Sequence, residues 1–85
     1  MGIKEEALTI MMEECAEVIV EASKIIRFGN DFSKLEKELG DLEAMLQILQ
    51  RMDFVSYNNI EQQVGKKFEK LKRYSNLTDI IEELE

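Results

Sequence analysis

Residues 33–52 read SKLEKELGDLEAMLQILQRM, and they decide how the rest of the chain is read. Leu35, Leu39, Leu42, Leu46 and Leu49 recur at steps of four and three, which lines one face of an α-helix. Ser33 with Glu36 three residues later has capping-box spacing, so the helix should start there and reach about Met52. The neighbouring line runs Glu38, Asp41, Met45, Ile48, Met52, acidic in its first half and apolar in its second. Acids on a line that otherwise belongs to the buried side are unusual for solvated charge.

The same signature precedes it. A helix is expected from Ile3 to about Arg27, ended by Gly29-Asn30-Asp31. Leu8, Met12, Cys15, Ile19, Ala22 and Ile26 form its apolar stripe, expected to be core, with Cys15 a buried inert thiol. Beside it run Ile3, Ala7, Ile10, Glu14, Glu17 and Glu21, again apolar before turning acidic. The short loop predicts an antiparallel hairpin. Met11, Met12, Met45 and Met52 read as core residues, and Gly40 as a position that lets the helices approach closely.

Beyond Met52, residues 53–59 read as a connection rich in capping residues, followed by a helix from about Ile60 to Arg73. A short last helix starts at Asn76 or Thr78 and runs to Leu84. Ile60, Val64, Leu71 and Tyr74 share one line with Lys67 among them, and Lys66, Lys67, Lys70, Lys72 and Arg73 crowd five cations into eight residues. Phe28, Phe32 and Phe54 fall near helix ends, suited to packing the hairpin or to stacking on a base. No internal repeat interrupts what reads as a single domain over residues 1–85.

Composition narrows the possibilities. The chain has no proline and four glycines, which favours long helices over a many-turned β fold. A net charge of −7 argues against nucleic acid or an anionic membrane as the main partner. One cysteine and no histidine exclude an internal disulfide, a structural zinc and a histidine-based triad. Apolar runs broken by charge leave no membrane span, and the first residues do not resemble a signal peptide, so a cytoplasmic protein is expected.

Residues three apart on a helix stand side by side, so Glu14/Glu17 and Glu38/Asp41 each form a two-carboxylate pincer. Across an antiparallel hairpin the two pairs face each other. Like charges held that close either take up protons or hold a hard cation, and Mg2+ or Mn2+ suits oxygen ligands. The plainer reading is a solvated acidic face.

The run Glu13-Glu14-Cys15-Ala16-Glu17-Val18, then Glu38-Leu39-Gly40-Asp41-Leu42 with twenty residues between Glu17 and Glu38, resembles the MazG-like nucleotide pyrophosphohydrolases of the all-α NTP pyrophosphatase superfamily. Their signature is E-x-x-E followed by E-x-x-D on successive helices, and the likeness spans about Leu8 to Tyr74. It implies Mg2+-dependent cleavage of a nucleoside triphosphate between its α and β phosphates, giving a monophosphate and pyrophosphate. It also implies Glu14, Glu17, Glu38 and Asp41 as metal ligands, Glu38 and Glu13 in catalysis with Glu13 as base or outer-sphere residue, and Glu21 at most in an outer shell. Lys24, Lys67 and Arg73 are the candidates for substrate phosphate, with Arg27 beside Lys24. Phosphoribosyl-ATP pyrophosphohydrolase chemistry is the sister reading, ranked lower because Leu42-Glu43-Ala44-Met45-Leu46 lacks the histidine common there.

The expected architecture is therefore an all-α antiparallel helical bundle, completed by oligomerisation as a homodimer or homotetramer. Three main helices leave more apolar line open than a chain this short hides. From a different class comes the alternative of a non-catalytic helical interaction protein, whose stripes dimerise or bind a partner helix.

Overall fold

Twenty-six residues without a breaker, Ile3–Phe28, form α1 in the computed structural model, which describes residues 1–85. It is followed by α2 (Ser33–Arg51), α3 (Tyr57–Tyr74) and α4 (Thr78–Leu84), with no strand. The chain is all-α. It divides into two compact units, Met1–Phe54 and Val55–Glu85.

Helix ends follow local chemistry. Gly29, at φ 69°, ends α1 in the left-handed conformation and donates its amide to the Ile25 carbonyl at 2.9 Å. α2 begins at Ser33 as expected, yet its N-cap is Phe32 and no capping box forms. The reason lies upstream: the Asp31 carboxylate accepts both the Ser33 amide (3.0 Å) and the Ser33 hydroxyl (2.6 Å). A hydroxyl donating to a carboxylate makes a short charge-assisted bond, so Ser33 turns away from capping. At the other end, Asp53 adopts φ 61° while its amide reaches the Gln50 carbonyl and that of Phe54 reaches Leu49, a Schellman closure. α3 starts three residues earlier than the Ile60 expected from periodicity, because the Ser56 hydroxyl accepts the Asn59 amide at 3.2 Å.

In the first unit α1 and α2 form an antiparallel hairpin. Ala7 packs on Met45 and Leu49 with Ile10 and Met11 alongside, and Glu14 lies against Glu38 and Asp41. The contact line on α1 is the one carrying Ala7, Ile10, Glu14 and Glu21, and this corrects the expectation that Leu8, Met12, Cys15, Ile19 and Ile26 are core. Those residues face outward: Met12 is 70% exposed and Ile26 85%. Cys15 is likewise an exposed free thiol instead of a buried one. The small Ala7 side chain lets α2 settle on its line with Met45 and Leu49 nearly covered. Gly40 has no part in the approach, since a Cβ there would meet nothing within 4 Å.

In the second unit α4 folds back on α3. Ile81 is the buried residue, and Lys72 bridges Glu69 and Glu85 at the edge of the contact. Ser75 ends α3, its amide and hydroxyl both donating to the Leu71 carbonyl, and its oxygen accepts the Leu77 amide. Tyr74, expected on the apolar line, is 76% exposed. No helix is long and apolar enough to cross a membrane.

Candidate metal centre

The hairpin register that buries Ala7 on Met45 brings Glu14, two turns further along α1, to the acidic half of the α2 line. Carboxylate oxygens of Glu14, Glu38 and Asp41 lie within 4.8 Å of one another. Glu38 and Asp41 share a face because three residues separate them on one helix. The Glu38 side chain is 14% exposed, while that of Asp41 is 47% exposed.

Desolvation and charge crowding act together at Glu14. Its carboxyl is pushed above the ordinary range, first by desolvation and then by Asp41, Glu38, Glu17 and Glu13. Glu17 and Glu13 are exposed and outside the three-residue cluster, so the structure unites three of the four acids expected as ligands.

A cation of the chain already stands beside the acids. Lys37 places its ammonium 3.6 Å from Glu38 and 3.7 Å from Asp41, and these two raise its pKa. Its position was legible: Lys37 and Asp41 are four apart on a helix, the spacing of a surface ion pair. With a side chain 72% exposed, Lys37 can leave cheaply.

The residues fit a hard divalent cation. All three donors are carboxylate oxygens. These oxygens lie within 4.8 Å of one another, and Mg2+, Mn2+ and Ca2+ all take oxygen donors of this kind.

The other singled-out residues sort by location. Glu21, two turns beyond Glu14 on α1, is nearly buried and meets Lys24 at 3.4 Å, so Lys24 is engaged away from the cluster. Arg27 lies over the Phe28 ring at 4.7 Å. Lys67 and Arg73 belong to α3 in the second unit. Lys67 borders an apolar recess with Ile60, Val64 and Phe68, and the Arg73 guanidinium stands 5.8 Å from the Tyr74 ring.

Neither a family model, nor a curated protein, nor a solved structure matches the chain. The likeness to the pyrophosphohydrolases thus rests on the two acidic motifs.

Proposed function

We propose that the chain is a Mg2+-dependent nucleoside triphosphate pyrophosphohydrolase of MazG-like type, Mn2+ substituting, that acts as a homodimer or homotetramer. The observation that carries this reading is the convergence of Glu14, Glu38 and Asp41 from two helices, with the Glu14 carboxyl pushed up by desolvation and then by its acidic neighbours. Such a set needs a counter-charge, and a triphosphate brings its own divalent ion.

In this reading Glu14, Glu38 and Asp41 hold the ion, and Glu17 turns in as the fourth ligand. When bound, the ion neutralises phosphate charge and lowers the pKa of a water. Glu38, nearly enclosed, would fix the position of the ion and, through it, of the triphosphate. Exposed Glu13, beside the cluster, takes the proton of the attacking water; the water oxygen bonds the α phosphorus, and pyrophosphate leaves with the electrons of the broken bond. Lys24, on the same helix as Glu14, is the candidate cation for the phosphate chain.

Release of pyrophosphate from a panel of NTPs and dNTPs, with Mg2+ or Mn2+, tests the reading. Turnover by the wild type that disappears in Glu38→Gln and Asp41→Asn, with helicity retained, is expected. An inert wild type across the panel removes the enzyme.

The Lys37 bridge favours a second reading. An ammonium that already neutralises Glu38 and Asp41 is what a non-catalytic helical interaction protein needs. Under that reading divalent ions leave thermal stability unchanged at constant ionic strength.

A further inference from the structure

α1 carries two contact lines, and the hairpin uses one of them. Ala7, Ile10, Glu14 and Glu21 turn toward α2. The other line, Leu8, Met12, Cys15, Ile19, Ala22 and Ile26, steps 4-3-4-3-4, the repeat of a coiled-coil seam. From Ala7 to Ile26, the half of the helix that turns from the α2-facing edge through this seam has no charged residue; Glu13, Glu14, Glu17, Glu21 and Lys24 all project from the other half. Leu8 is 45% exposed, Met12 70%, Ile19 69% and Ile26 85%, and Leu39 of α2 adds 45%.

We propose that a second copy of this chain closes the seam, α1 against α1, about a two-fold axis crossing the helix between Cys15 and Ile19. This gives a definite face to the self-association in the proposed function and is independent of the hydrolytic chemistry. Three observations select a second copy. The spacing reads the same in both directions, so a two-fold axis at its middle sets every residue opposite a seam position, as an isologous contact requires. A chain of charge −7 meets itself without repulsion only where the surface is free of acids. The exposed part of these side chains is on the order of 600 Å² per chain, at the top of what monomers leave open and near the ~800 Å² that each side of a stable interface contributes.

Cys15, the sole thiol, sits on the seam and reports on it. Sedimentation equilibrium of the full chain in reducing buffer is expected to show a species of twice the chain mass. The alkylation rate of Cys15 by N-ethylmaleimide should fall with rising concentration in proportion to free monomer, roughly tenfold once nine-tenths of the chain is paired. Met12→Glu combined with Ile19→Glu should give a monomer with fast alkylation, while Val20→Glu, on the other half of α1, leaves both readings unchanged. A wild type that stays monomeric overturns the proposal, whether Cys15 is reactive (an open face, or one meant for another protein) or shielded (a face covered by the chain's own C-terminal segment). So does a dimer whose Cys15 reacts as fast as the monomer's, because it uses another surface. The wild-type alkylation curve decides even if the double variant fails to fold, and none of these readings depends on pyrophosphate release.

Discussion

Adding Mg2+, Mn2+ or Ca2+ at constant ionic strength should raise the thermal midpoint of helix loss in the wild type. The size follows from mass action: at about a hundred times the dissociation constant, binding to the folded state alone contributes ~2.7 kcal/mol. In a domain this small that moves the midpoint by roughly 10–20 °C. Three carboxylate oxygens within 4.8 Å of one another are where a divalent ion would act. Substitutions then report on individual carboxylates. Glu14→Gln should act in opposite directions with and without the ion. A carboxyl whose pKa is raised on folding is less stable charged in the folded state than in the unfolded, so neutralising it raises the ion-free midpoint. The same substitution removes a ligand and suppresses the response to the ion. Asp41→Asn should also suppress it, Glu17→Gln should weaken it, and Lys37→Met should enlarge it by removing the competing ammonium. Circular dichroism melts at matched ionic strength separate this from general screening of a −7 chain. A midpoint unmoved by about 10 mM of all three ions, or a Glu14→Gln variant with the full response, refutes the reasoning.

Three further outcomes are expected. Leu49→Ala, at a position 3% exposed against Ala7, should cost ~2–5 kcal/mol in urea unfolding, and Ile48→Ala, 43% exposed, much less. Acid titration should show a contribution from Asp31, whose pKa is lowered by the Ser33 hydroxyl and amide bonds. Its stabilisation is complete above the unfolded carboxylate value of ~4 and lost as pH falls through the lower folded value, so Asp31→Asn should flatten that limb of the curve. Ser56→Ala should lose the cap on the Asn59 amide, costing ~0.5–2 kcal/mol and speeding hydrogen exchange in the first turn of α3.

The hairpin was legible because its signals are local. Leucine periodicity in residues 33–52, the Gly29 stop and a short loop define two antiparallel helices without any knowledge of packing. Three of four acids also came together, since i, i+3 spacing and an antiparallel register suffice to bring them close. What periodicity does not encode is which of two apolar lines on α1 meets α2. Both repeat at steps of four and three, and the line with more large side chains, Leu8 to Ile26, looked like core. The choice falls to the line with Ala7, a decision made by side-chain size across the contact. The misread Cys15 and Met12 follow from that single inversion. The missed cap at Ser33 has another origin: Asp31, outside the helix, competes for the hydroxyl.

That inversion also accounts for where stability must come from. In the hairpin unit only Ala7, Met45 and Leu49 form a buried apolar cluster, and the contact line that continues from them ends in carboxylates. Two helices with so small a core need other support, which at this size is usually a bound metal or a partner subunit. The two supports proposed for this chain use separate parts of α1. A counter-cation would act on the acidic half beside α2, and a second copy on the charge-free half. Because no residue belongs to both, their stabilising effects should add and not compete, as expected of sites with no shared partners. A helix with two parallel seams, one of them half acidic, is then economical: the acids occupy a line whose apolar remainder is enough to fix register, and the uninterrupted line is left for association.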